Sequence, residues 1–181
     1  CLGWANHSWS TKTWVKDKVL SKSTMIAEQL YPGVEDYTKH FEYVLPAFQD
    51  KRYITVDGKP VFVIFDPLAI PDMTDFMKLW RELAVKNGLK GVHFVAYKYG
   101  RKSTREALMQ MGFDAVIALN TWEAEVKVTG NRTVKRLKTL FSLKAGIILQ
   151  KFDLAKLSEF FYTEEEKLEN VYPVLLPNYD R

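Results

Sequence analysis

The sequence predicts a parallel α/β domain of the barrel type, on three observations. From residue 53 onward, strand-like apolar runs alternate with helix-like periodic ones, the rhythm of successive βα units. The strand-like runs are apolar on both faces, as strands covered by helices on both sides must be. Residues 41–67, FEYVLPAFQDKRYITVDGKPVFVIFDP, pass without a break from the end of an amphipathic helix through a polar turn into a buried strand.

Taken in order, residues 1–5 read as the tail of a first strand. Residues 34–48 follow as a helix whose Tyr37, Phe41, Val44, Leu45 and Phe48 share one apolar face, with Pro46 near its last turn. The next strand is 61–65 (VFVIF). Asp72 is placed to cap a helix running to about residue 86, in which Met73, Phe76, Met77, Trp80, Leu83 and Ala84 form the buried stripe and Asn87-Gly88 supplies the stop. A strand at 92–97 (VHFVAY) precedes a short helix with capping-box spacing between Ser103 and Glu106, ended by Gly112. Another strand is expected at 115–119 (AVIAL) and a last one at 171–176 (VYPVLL). Between them the pattern is less regular, with a basic helix near 133–140, a second helix near 153–161 and an acidic turn at 164–166. This stretch reads as an expanded βα connection, so residues 1–181 are expected to form a single domain. The chain opens at Cys1 on one strand end and stops at Arg181 just after another, which reads as a piece cut from a larger protein.

Composition narrows the class. At 181 residues and 47% hydrophobic content the chain is long enough to bury a core of one domain. Charged residues make up 27% with both signs interspersed and a net charge of +4, so nothing marks it as disordered or as a nucleic-acid binder. Its one basic cluster, Lys127, Arg132, Lys135, Arg136, Lys138 and Lys144, reads as the solvated face of a helix and its flanks. A single Cys rules out an internal disulfide and a cysteine-based metal site. No apolar run approaches the length of a membrane span. There is no GxGxxG, no GxxxxGK[ST] and no GxSxG, and His7, His40 and His93 lack metal-ligand spacing. No cofactor and no metal are expected.

In a parallel α/β domain, ligands meet the carboxyl ends of the strands. The residues there are Trp4, Asn6 and His7 after the first strand, Asp66 after VFVIF, and Tyr97 and Lys98 after VHFVAY. Asn120, Thr121 and Trp122 follow AVIAL, and Asn178, Tyr179 and Asp180 follow VYPVLL. Sugars need such a surface, because aromatic rings offer flat faces to pyranose C–H groups while amides and carboxylates bond neighbouring hydroxyls. Trp4, Trp9 and Trp14 crowd the first loop, a density that also suits a loop clamped to the barrel rim. His7 is a candidate acid, base or sugar ligand, against the plainer reading of a hydrogen-bonded loop histidine.

These residues resemble the WbsX-like glycosyltransferase family, a relative of glycoside hydrolase family 99 often encoded with bacterial surface-polysaccharide genes. The resemblance is carried by WANHSW at 4–9, Trp14, EQLY at 28–31, YVLPAFQDKRYITVDGKPVFVIF at 43–65 and PNYDR at 177–181, and it is weak between 123 and 165. It implies a (β/α)8 TIM-type barrel of which this chain is about strands three to seven. It also implies that Trp4, Asn6, Trp9, Gln29, Tyr31 and Asp180 line a sugar cleft. The main catalytic carboxylates are then expected after Arg181, leaving His7 and Asp180 as weak catalytic candidates, with Tyr97, Asn120 and Trp122 added to the binding set from their strand-end positions. His7 departs from the family pattern, which commonly has Glu after Trp-Ala-Asn.

The leading expectation is therefore a domain that forms or cleaves glycosidic bonds in O-antigen or capsule metabolism, as a transferase or hydrolase, with this piece alone inactive. Its substrate would be a glycan, a sugar nucleotide or a lipid-linked sugar, with no nucleic-acid partner. The expected compartment is cytoplasmic, with the periplasm or cell surface as the alternative. A non-catalytic glycan-binding barrel is the competing function. A doubly wound small-molecule domain fits the βα alternation but leaves the Trp-rich loop unexplained.

Overall fold

In a computed structural model, residues 1–11, 24–98, 103–118, 120–145 and 152–174 are described. Trp14, Asn178, Tyr179 and Asp180, together with the ends of the 115–119 and 171–176 runs, lie outside them. The chain divides into two compact units. The first comprises Cys1–His7, Glu28–Ala118 and Asn170–Tyr172, and the second Ser8–Ala27, Leu119–Glu169 and Pro173–Arg181.

The first unit is built on a sheet with strand order β1-β5-β6-β7-β8. These strands are β1 (Leu2–Trp4), β5 (Lys59–Ile64), β6 (His93–Lys98), β7 (Ala115–Ala118) and β8 (Val171–Pro173). A short β4 (Thr55–Val56) hangs on β5 as an antiparallel hairpin. β1 pairs in parallel with β5, β5 with β6 and β6 with β7, with Phe62 opposite both Leu2 and Phe94. The strands are joined through helices α1 (Val34–Phe48), α2 (Met73–Lys86) and α3 (Arg105–Gln110), giving the α/β architecture of part of a TIM-type barrel. Among the described residues β1 and β8 do not pair with each other, so the barrel is not closed.

Each element has a local cause. The β4–β5 hairpin turns on Asp57 and Gly58, both at positive φ (53° and 76°), the type I′ geometry that favours an Asp-Gly pair. In sequence this was legible only as a polar turn. α1 and α2 bury the stripes read from their spacing, and between them and the sheet lies an aromatic core centred on Trp80. The Trp80 ring sits 4.8 Å from both Phe62 and Phe76 and 5.4 Å from Phe41, and its indole N–H donates to the Tyr37 carbonyl at 2.9 Å.

Two expected caps are corrected. Asp72 stands at the N-cap of α2 but makes no capping bond there. Its Oδ1 instead accepts the Tyr37 hydroxyl at 2.7 Å, because that buried phenol has a stronger claim on an acceptor than a solvated helix end does. The cap of α3 is Thr104, whose Oγ1 accepts from the Ala107 N–H, while Ser103 is buried just before it.

The second unit holds an antiparallel pair, β2 (Trp9–Ser10) with β3 (Met25–Ala27), and helices α4 (Thr121–Thr129), α5 (Arg132–Ala145) and α6 (Leu154–Ser158). α4 was not expected; Gly130 ends it in the left-handed conformation (φ 79°). Asn131 then opens α5 by accepting the Thr133 N–H at 2.7 Å. The acidic turn is a 3-10 helix, Glu164–Lys167, closed by a capping box between Thr163 and Glu166. One member of the basic cluster departs from a solvated face. Lys135 is only 2% exposed and is ion-paired with Glu125 of α4, so its charge is matched inside the unit.

Candidate functional site

The carboxyl ends of β1, β5 and β6 gather the strand-end residues of the first unit, and Asn6 organises them. Its side chain is 0% exposed. Its Nδ2 donates to the Asp66 carbonyl at 2.7 Å, while its Oδ1 accepts the Asp66 N–H, also at 2.7 Å. This two-way clamp replaces the ladder bonds that the sheet no longer provides once β1 and β5 have ended, and it fixes the backbone at residue 66. One more ladder bond leads into it, from the Phe65 N–H to the Trp4 carbonyl at 3.1 Å.

Tyr31 closes the other side of Asn6, its hydroxyl donating to the Asn6 carbonyl at 2.9 Å and lying 3.2 Å from Nδ2. Burial pushes the Tyr31 phenol up, a bond from Asn6 opposes that shift, and the negative charge of Asp66 adds to it. The phenol therefore stays protonated and can donate. Gln29, two residues earlier, turns its amide to the Leu30 carbonyl at 2.8 Å.

Trp4 is half-buried, with its ring edge-on to His40 at 4.7 Å and to Tyr31 at 6.0 Å. It acts as a pillar joining the strand ends to the aromatic core. Burial, partly opposed by Asp36, lowers the pKa of His40 beneath it, so that imidazole is neutral.

A second group of rings lies across the same strand ends. Phe65 is 39% exposed, stacked on Tyr97 at 5.0 Å with planes 22° apart, and flanked by His7 at 5.3 Å. The following residue in the chain, Asp66, is half-buried, and its carboxylate accepts no hydrogen bond from the described residues. Phe65 was missed in the sequence because VFVIF reads as one buried strand. β5 ends at Ile64, and the residue after it turns outward. Its place immediately before Asp66, at the end of an apolar run, was the available signal.

The structure thus brings Trp4, Asn6, His7, Tyr31 and Tyr97 of the expected set into the first unit, with Gln29 nearby in the chain. Trp9, Asn120 and Trp122 belong to the second unit, and Asp180 lies outside the described residues. Trp9 is exposed on β2, and Trp122 lies within α4. Asn120 donates to the Phe161 carbonyl at 3.0 Å and to the buried Glu166 carboxylate. Burial pushes the Glu166 carboxyl up, but bonds from the Thr163 hydroxyl and N–H and from Asn120 outweigh it, leaving the pKa below the usual range. This buried carboxylate is saturated by its own neighbours and serves as a structural anchor.

No group of three or more His, Cys, Asp or Glu side chains among the described residues is arranged to hold a metal ion. Among those residues, no helix is long and apolar enough to cross a membrane. What the first site offers chemically is a fixed flat ring, a carboxylate with spare acceptor capacity and a phenol held protonated. A family model described as glycosyltransferase WbsX matches residues 1–181. No curated protein and no solved structure matches the chain.

Proposed function

This chain belongs to the glycosyltransferase WbsX family, and from that premise we propose that it supplies a sugar-binding wall for glycosidic-bond formation in a bacterial surface polysaccharide, acting in the cytoplasm. Family membership carries the carbohydrate class. The observation that carries the location is the set of strand ends, where Asn6 pins the backbone at Asp66 and the exposed Phe65 ring stacks on Tyr97. A sugar donor and acceptor meeting there would exchange the bond at the anomeric carbon through an oxocarbenium-like transition state, which an adjacent carboxylate stabilises electrostatically. Whether a sugar hydroxyl or water attacks decides between synthesis and hydrolysis.

A second reading is a glycan-binding module without turnover, favoured by His7 standing where the resemblance has Glu. The test is to incubate the full chain with a panel of nucleoside diphosphate sugars and oligosaccharide or lipid-linked acceptors and to follow products by mass spectrometry. A gain of one sugar residue on the acceptor supports transfer, and loss of one from the glycan supports hydrolysis. Glycan binding with neither product supports the binding module. No product and no binding would end the carbohydrate reading.

A further inference from the structure

We propose that α5 is a membrane-surface helix, which lays its outer side on the headgroups of an anionic phospholipid leaflet without crossing it. This role is independent of the carbohydrate reading and holds whether or not the chain acts on sugars.

α5 packs in the reverse sense to an ordinary amphipathic helix. Its inward side is polar: Lys135 is buried and ion-paired with Glu125 of α4, and the half-buried Thr139 and Ser142 follow at i+4 and i+7. Its outward side is apolar. Leu137, Leu140 and Phe141 are 61, 63 and 61% exposed and Val134 is 40% exposed. At about 100° per residue these four share one arc, on the side of the helix away from Lys135. A matched charge, rather than apolar burial, therefore holds α5 to α4, and a strip of large apolar side chains is left facing water.

Charge identifies what covers that strip. α5 has no Asp or Glu, and besides the paired Lys135 it carries Arg132, Arg136, Lys138 and Lys144. On the helical wheel the exposed Arg136 stands at one edge of the apolar arc and the exposed Lys138 at the other. Long cationic side chains in those places run their stems along the acyl boundary and keep their charged heads among lipid phosphates. A nucleic acid would use the charges but gain nothing from the apolar strip, and an apolar protein groove would use the strip but leave the cations unmatched. An anionic bilayer uses both. At 14 residues α5 is too short to span the hydrocarbon core, so it lies in the interface.

The experiment is co-sedimentation of the full chain with vesicles of phosphatidylcholine alone and of phosphatidylcholine mixed with phosphatidylglycerol, at low and high salt, beside size-exclusion chromatography. The two variants are Leu140→Ser with Phe141→Ser, and Arg136→Gln with Lys138→Gln. All four side chains are exposed, so thermal melting should stay at the wild-type value and show that any loss is local. The expected result is binding to the phosphatidylglycerol vesicles that salt weakens, with little binding to phosphatidylcholine alone. Removing both charges should weaken it about 25-fold, from about fivefold per charge. Removing both apolar side chains should weaken it about tenfold or more. Equal binding to the two kinds of vesicle, or binding that ignores both double variants, overturns the proposal. Absence of vesicle binding overturns it too: a wild-type dimer that the Leu140→Ser, Phe141→Ser protein no longer forms would assign the strip to a second copy of the chain, and a monomeric wild type would leave it without a membrane role. Each of these outcomes leaves the glycosyl-transfer assay untouched, so the carbohydrate reading stands or falls separately.

Discussion

Asn6 shows how a residue chosen for one role can be explained by another. Its amide is consumed by Asp66 and Tyr31, so its contribution is to hold the backbone from which Phe65 and Asp66 project. Asn6→Ala should destabilise the first unit by about 1–3 kcal/mol, because the Asp66 N–H loses its acceptor without gaining water, and urea unfolding would measure it. The glycan binding proposed above should weaken as well in the folded variant, since the strand end at Asp66 loses its fixed backbone. Two histidines, half-buried His40 and buried His93, set a pH dependence. Burial is the first cause lowering both His40 and His93; Asp36 opposes it at His40, and at His93 Asp114 opposes it while Lys59 adds to it. A lowered folded pKa means that the unfolded chain binds more protons in acid. The stability they contribute is thus intact above about pH 6.5 and lost as pH falls through and below that value. Denaturant titrations between pH 7.5 and about 5 should show that decline, and His40→Phe should flatten part of it.

At the scale of elements, the strands and long helices of the first unit were legible because their signals are periodic. Tyr37, Phe41, Val44 and Phe48 fall at helical spacing, and Val61–Phe62 and Phe94–Val95 stand in unbroken apolar runs that only a doubly covered strand accommodates. Caps were less legible, since Asp72 is drawn to the buried Tyr37 hydroxyl, a tertiary fact, and the cap of α3 falls one residue past Ser103, at Thr104. The second unit was hardest to read. α4 has a weak apolar stripe, and the anchor at Glu166 depends on Asn120, far away in sequence. That anchor gives an element-level prediction. Glu166→Ala removes the acceptor for Asn120 and for the Thr163 N–H and hydroxyl, and should cost about 2–3 kcal/mol, with Glu166→Gln costing less. Hydrogen exchange should accelerate around 120 and 161–167 in the variant. The wild-type contribution is present above the unfolded carboxyl pKa of about 4.3 and is lost as pH falls below it, because the folded pKa is depressed.

For the whole molecule, the site and the core are one aromatic system seen from two ends. Trp4 touches Tyr31 at the strand ends and Phe76 at 5.6 Å beneath, and Phe76 lies 4.8 Å from Trp80, so ring contacts run from the strand ends to the centre of the sheet–helix interface. Much of this was legible as composition, 14% aromatic with Trp in the first loop, but which indoles pack and which face outward is set by where each strand ends. Trp80→Ala should cost about 3–5 kcal/mol by leaving a large cavity and an unpaired Tyr37 carbonyl. Trp80→Phe should cost less while still losing the indole bond. Because the backbone at Phe65 and Asp66 is held by bonds to Trp4 and Asn6 rather than by Trp80 itself, the Trp80→Phe protein should lower the urea midpoint yet keep the glycan binding proposed above near wild type once folded. A matched loss of affinity and stability across both Trp80 variants, with all molecules folded, would instead mean that core packing tunes the ring platform directly.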